Sequence, residues 1–319
     1  MTSPTQQPGQ PATHVVTGAG PVGTGVALHL ADLGHPVRLL TRSGSGPEHP
    51  LVERRRVDVS RREGLADAFA GAAAVHHCIH GSQYRASTWA AELPVAEQAV
   101  LAAAGEVGAV AVFPESLYSY GRVDGPITEA SPRTATGGKP GVRSALLAAR
   151  AASPTPTVSV VASDFFGPHV RNAHAGERMI PTVLAGRRMR VLADLDQPHS
   201  WTYVPDLAAA MVRAATDPSL WNSVLHAPTG APLTQRELIA AVADAAGVPM
   251  PKTGAIPAWA LRAIGLVHTD TRELAELSYQ FSRPFVMESA ESERLLGQSP
   301  TPIEVALKET VAWWRAQGA

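Results

Sequence analysis

The chain has 319 residues, 45% of them hydrophobic and 17% charged, with a net charge of −1. That length can bury a large core, and the balance of charge lacks the basic excess that meets nucleic acid or anionic lipid. Gly and Pro, 27 each, follow no period, which excludes a collagen-like repeat. The single cysteine, Cys78, excludes an internal disulfide framework and fits a reducing compartment.

The first twelve residues, MTSPTQQPGQPA, carry no Lys or Arg and no apolar run. They read as a disordered leader, not a secretion signal. No stretch reaches the roughly 18 apolar residues of a membrane helix, so a cytoplasmic protein is expected. His14–Thr17 is a short apolar strand that runs into Gly18. Val22, Val26, Leu30 and Leu33 then recur at the helical period, and Gly34 stands where a C-cap belongs. Pro36–Thr41 is a second strand. Ser60 and Glu63 have the spacing of a capping box for a helix through Leu65, Ala68 and Phe69 that Gly71 ends.

Further strands are predicted at Ala73–Ile79, Ala109–Phe113 and Val158–Ala162, and helices at Trp89–Ala104, Lys139–Ala151 and Asp206–Ala215. Such alternation implies an α/β protein with a doubly wound parallel sheet. Later, Thr234 and Glu237 form a second capping box for a helix that Gly247 closes. Helices follow at about 257–265, 271–281 and 302–316. The chain thus divides into the leader (1–12), a Rossmann domain (13–165, with a return segment at about 200–227), and a smaller, mostly helical substrate lobe (166–199 and 228–319).

Gly18-Ala19-Gly20-Pro21-Val22-Gly23 fits G-x-G-x-x-G between the first strand and the first helix. Gly18 permits the tight turn, Gly20 lets backbone approach a pyrophosphate, and Gly23 lets helix pack on strand. The helix N-terminus adds free N–H groups and partial positive charge. After the second strand, where an acidic residue would accept from the ribose of NAD, stand Thr41, Arg42 and Ser43. Arg42 suits a 2′-phosphate, which favours NADP(H) while leaving NAD(H) open.

With these residues in place, the sequence resembles the extended or atypical branch of the short-chain dehydrogenase/reductase superfamily, the NAD-dependent epimerase/dehydratase-like proteins. The likeness runs over about residues 13–315. It rests on Thr17–Gly23, on Val57-Asp58-Val59, on Cys78-Ile79-His80-Gly81 and on Ser116-Leu117-Tyr118-Ser119-Tyr120-Gly121. Ser163–Pro168 and Tyr203–Ala208 add to it. The resemblance implies that Gly18, Gly20, Pro21, Val22 and Gly23 hold the diphosphate, that Asp58 and Val59 contact adenine, and that His80 lies by the cofactor ribose. It implies that Ser116 binds the substrate oxygen.

The family's Tyr-x-x-x-Lys pair is missing from this chain. The matching helix offers Lys139 and Arg143 at i and i+4, on one helical face. Arg143 is expected on the cofactor. Lys139, beside another cation, is expected to have a lowered pKa and to exchange a proton, with the phenols of Tyr118 and Tyr120 as the alternative. Ser116, Tyr118 and Lys139 are therefore the expected catalytic set. The run His76-His77-Cys78-Ile79-His80 does not converge, because alternate strand residues face opposite ways, and no metal site is expected. Trp201 reads as core in preference to a cleft wall, and Trp313-Trp314 as packing or an interface.

Three readings follow. The first is an NADP(H)-dependent oxidoreductase acting on a carbonyl, alcohol or activated double bond of a small metabolite. The second is a redox-neutral epimerase, dehydratase or cyclase. The third is a non-catalytic NADP(H)-binding protein. The expected partner is a small-molecule substrate, with neither nucleic acid nor membrane, and a homodimer is left open.

Overall fold

In the computed structural model, residues 11–319 are described. The leader expected at the N-terminus thus falls, except for its last two residues, outside the described residues. The first half alternates β1 (Thr13–Thr17), α1 (Pro21–Asp32), β2 (Val37–Thr41), β3 (Val52–Arg56), α2 (Leu65–Phe69), β4 (Ala72–His77), α3 (Ala86–Glu106), β5 (Val110–Ser116), α4 (Gly138–Ala151) and β6 (Thr157–Ala162). There follow β7 (Asp164–Phe166), α5 (Ile180–Leu184), β8 (Met189–Leu192), β9 (Trp201–Tyr203), α6 (Val204–Thr216) and β10 (Ser223–His226). The chain ends with α7 (Gln235–Ala246), β11 (Thr253–Ile256), α8 (Ala258–Gly265), α9 (Thr269–Glu276), α10 (Ala290–Leu296) and α11 (Ile303–Ala316).

Seven strands form one parallel sheet in the order β10-β6-β5-β4-β1-β2-β3. Its inner strands are mostly buried and rich in Val, Leu and Ala, as strands covered on both faces are, with polar side chains such as His14, His76 and His77 among them. On one face α1 and α6 bury Val22, Val26, Leu30, Leu207 and Met211. There Gly25 of α1 lies against Ala208 of α6, which brings the two helices close. On the other face α2 and α3 bury Leu65, Phe69, Val100 and Ala104. A separate cluster joins α5, α7 and α11 through Ile180, Leu238, Val242, Leu307 and Trp314, and includes Trp201, which is core. The doubly wound sheet with a helical C-terminal region is the expected architecture.

Several local expectations are corrected. Ser60 caps no helix: its hydroxyl and amide bond Asp58 Oδ1, and α2 begins only after Gly64, a left-handed residue at φ 77°. The helix expected over 271–281 breaks at Leu277 into a 3₁₀ turn, Ser278–Phe281, whose four residues are all buried. β3, read VERRR, gave no apolar pattern because it is the sheet edge, with Glu53, Arg54 and Arg56 exposed. The second capping box forms as read: Thr234 accepts from the Glu237 amide and Glu237 reaches back. Gly247 ends that helix at φ 64°.

Three histidines are buried in the central strands. His14 Nδ1 meets His76 Nε2 at 3.1 Å between β1 and β4, and His77 Nδ1 meets Thr17 Oγ1 at 2.8 Å. Burial pushes His14 and His77 down to about 4, and His76 well below its ordinary value. An unfolded histidine titrates near 6.5, so between pH 6.5 and 4 the unfolded chain binds the extra protons. Stability is then lost as pH falls through that window, by roughly 3 kcal/mol for each of His14 and His77. Thermal melts should show Tm falling across this range. A His14→Phe, His76→Leu double variant should show a shallower fall.

Candidate active site

One cleft of about 1860 Å³ opens along the carboxyl ends of the strands. It is larger than the roughly 300–1,000 Å³ that a single drug-sized ligand fills. It lies where the chain reverses strand order between β1 and β4, the usual ligand position of a doubly wound sheet.

The glycine elbow forms its floor. Gly18 adopts φ 88°, and a Cβ there would lie 3.0 Å from the Cys78 carbonyl oxygen and from the Ile79 side chain. A Cβ on Gly23 would fall 2.0 Å from the Gly18 carbonyl oxygen, so only glycine permits α1 to start this close to β1. Gly20 is the opposite case: nothing lies within 4 Å of where its Cβ would be, and the open space is the cleft itself. This cradle fits a dinucleotide diphosphate, with Pro21 as first residue of α1 and Val22 beside it on the cleft wall.

At one end of the cleft stand Thr41, Arg42, Ser43 and Ser45, facing Asp58, Val59 and Ser60. Hydrogen bonds from Ser60 hold Asp58 below the usual carboxylate range, and Arg61 and Arg42 add to the effect. Further along lie His80, Tyr84 and Trp89, then Ser116, Tyr118, Arg143 and Asp164. Burial and the charge of Arg143 lower His80 to about 4, so it is neutral at physiological pH.

Arg143 comes from α4 and lies over the Trp89 ring at 4.8 Å, with Nη1 3.5 Å from Glu115 Oε1. Its Nε is buried without a hydrogen-bond partner at the cleft wall. An unused donor of this kind suits a sugar hydroxyl or phosphate oxygen. Glu115 in turn accepts from the Ser116 amide at 2.7 Å and from Arg150 Nη1 at 2.9 Å. Arg150 also binds Glu97 and donates to Ser159. Burial works to raise the Glu97 pKa, but Arg150 outweighs it and holds the carboxyl below its ordinary range.

Of the expected catalytic residues, Ser116 and Tyr118 line the cleft and Lys139 does not. Lys139 is fully buried, its Nζ 2.6 Å from both Glu273 Oε2 and Glu276 Oε2 and 3.0 Å from the Glu273 carbonyl. Two carboxylates of α9, not a second cation, face its ammonium, so it is not available as the proton-exchanging group. Tyr120 also points elsewhere. His226 Nδ1 meets the Glu288 carbonyl and must donate, which leaves Nε2 to accept from the Tyr120 hydroxyl at 2.7 Å.

The cleft is also lined by residues that the sequence did not mark as part of a site. Tyr84 pairs its hydroxyl with that of Tyr118 at 2.8 Å. Burial, and then the charge of Asp164, keep the Tyr118 phenol far above its usual value and therefore protonated. His174, Arg171, Arg178 and Trp313 line the far end, so Trp313 is wall as well as packing. Asp164, an acid at the carboxyl end of an apolar strand, was the one legible signal among these.

This sheet, elbow and cleft define an α/β protein of the doubly wound class. Residues 14–223 match the NAD dependent epimerase/dehydratase family, and the chain belongs to that family. No curated protein matches the sequence significantly. Among solved structures, UDP-glucose 4-epimerase from Thermotoga maritima with UDP-glucose is similar at 17% identity and TM-score 0.76, covering 96% of this chain and 100% of that one. The Bordetella bronchiseptica enzyme WbmH in complex with NAD+ is similar at 18% identity and TM-score 0.73, covering 96% and 99%. MoeE5 in complex with UDP-glucuronic acid and NAD is similar at 21% identity and TM-score 0.74, covering 96% and 100%. At these identities the likeness carries the fold.

The Lys139 cluster yields a stability test. Lys139→Met should leave Glu273 and Glu276 facing each other without a countercharge and lower the unfolding free energy by roughly 3 kcal/mol, read from urea denaturation.

Proposed function

We propose that this member of the family is an NADP(H)-dependent oxidoreductase acting on a carbonyl or alcohol of a small polar metabolite. The observation that carries the reading is Arg42 at the carboxyl end of β2, on the cleft wall, where a carboxylate would serve the ribose of NAD. Ser43 and Ser45 line the same end. A guanidinium with hydroxyls beside it suits a 2′-phosphate.

In this reading the elbow of Gly18, Gly20 and Gly23 takes the diphosphate, assisted by the Val22 N–H and the positive end of α1, while Pro21, which has no N–H, sets the first turn of that helix. Asp58 and Val59 hold the adenine end. His80 and the unpartnered Nε of Arg143 hold the nicotinamide ribose. The bound nicotinamide supplies or accepts a hydride. Ser116 and Tyr118 grip the reacting oxygen, with Tyr118 as hydrogen-bond donor because its phenol stays protonated. The lobe built from residues 166–199 and 228–319 shapes the substrate end, and its cationic and aromatic wall (Arg171, Arg178, Trp313) favours a polar or anionic substrate.

Family membership favours a second reading, a redox-neutral epimerase or dehydratase in which the hydride returns to the product. The solved structures named above, with bound NAD or UDP-sugars, support it and also support NAD(H) as an accepted cofactor.

Calorimetry and turnover separate the readings. NADP(H) should bind at least tenfold more tightly than NAD(H), and Arg42→Asp should reverse the order. With a panel of carbonyl metabolites, net loss of NADPH absorbance supports oxidoreduction. An isomerised or dehydrated product with no net loss supports the second reading. Tyr118→Phe should lower turnover by roughly tenfold or more.

A further inference from the structure

The proposed chemistry moves a proton as well as a hydride, and the residue at the family's tyrosine position, Lys139, is sequestered. Tyr118 remains as a hydrogen-bond donor, but its buried phenol is a poor carrier of a proton that must come and go. A different pair on the cleft wall is built to carry one.

Asp164 opens β7, lines the cleft, and has a side chain 20% exposed. Its Oδ2 lies 2.8 Å from His199 Nε2. His199 is buried, with its ring 4.6 Å from Phe281 and nearly parallel to it, and 4.5 Å from Trp201. Its other nitrogen, Nδ1, lies 3.1 Å from the Gln280 carbonyl oxygen. A carbonyl can only accept, so Nδ1 carries a hydrogen. A neutral imidazole would then present a bare lone pair at Nε2 to a bare carboxylate. The 2.8 Å contact therefore holds one further proton, either on Nε2 as imidazolium with carboxylate or on Asp164 as the acid.

The neighbouring His174 is fixed in another state. Gln235 Nε2 donates to the Leu192 and Asp194 carbonyls, which turns its Oε1 toward His174 Nε2 as an acceptor. His174 thus bears its hydrogen on Nε2, and burial lowers its pKa so that it stays neutral. Two adjacent histidines are held by carbonyl geometry, one neutral and one in a proton-sharing pair. Asp164 also acts electrostatically on both Tyr84 and Tyr118.

We propose that Asp164 is the proton-transfer residue of this active site, with His199 as the positioning residue that holds the shared proton. This rests on the oxidoreduction reading above. In carbonyl reduction the hydride from the reduced dinucleotide adds to carbon, the π electron pair moves to oxygen, and that oxygen takes the proton from the Asp164–His199 pair. The pair is left as Asp164 carboxylate and neutral His199, and water in the cleft returns the proton. Oxidation of the alcohol runs through the same groups in reverse.

The test is nuclear magnetic resonance of the full chain labelled with ¹⁵N-histidine and ¹³C-aspartate, joined to kinetics. At neutral pH the spectra should show His199 protonated at both nitrogens beside an ionised Asp164, or neutral His199 beside a protonated Asp164. The shared-proton signal should vanish in Asp164→Asn and in His199→Gln. A neutral His199 beside an ionised Asp164 would overturn the proposal. In the NADPH turnover assay, Asp164→Asn should lower kcat about 100-fold, with KM and NADPH affinity each within about twofold of the parent. A variant that retains kcat within threefold also overturns it. The spectra need no turnover, so failure of the pair and failure of the oxidoreduction reading are distinguishable.

Discussion

The structure turns on a buried guanidinium. Arg150 sits under the carboxyl end of β5, between Glu97 of α3 and Glu115 of the strand, with the Phe113 ring 4.1 Å away. Removing either carboxylate would leave a charge in a low-dielectric core, so the three groups fix one another. Glu115 passes this order to the cleft. It accepts from the amide and hydroxyl of Ser116 and faces Arg143. The position of the serine and the aim of the second arginine are thus set by a buried network of Glu97, Arg150 and Glu115.

The face of α4 that carries Lys139 and Arg143 has been divided between two tasks. Arg143 stays on the cleft. Lys139 ties α4 to α9, and the approach is so close that a Cβ on Gly138 would overlap Glu276. Tyr84 covers the ammonium at 4.8 Å and still reaches Tyr118. A position on a helix face thus fixes where a side chain starts, but the neighbouring element decides what its charge is used for.

Much of the sheet could be read directly, because its inner strands carry short runs of Val, Leu and Ala and its helices keep the 3.6-residue period. The glycine elbow was legible for the same local reason: Gly18 and Gly23 answer to steric demands within a few residues. The edge strand β3 was not, since a strand with one solvated face and no outer neighbour needs no apolar pattern. The strands of the C-terminal region are three or four residues long, too short for alternation to register. The role of Lys139 is not legible in the sequence, because its partners lie more than 130 residues away. Asp164 and His199 escaped notice as a pair because only the juxtaposition of β7 and β9 brings them together.

The charged margin at β3 has a consequence for association. Glu53 and Arg55 form an ion pair on that strand, and Arg54 and Arg56 project beside them. An approaching chain that tried to lengthen the sheet there would have to strip water from these ions to reach the free backbone groups. At the opposite border α10 packs against β10. Growth by strand addition is therefore discouraged at both margins, which directs any self-assembly toward helix-to-helix contact and guards the fold against fibrous stacking.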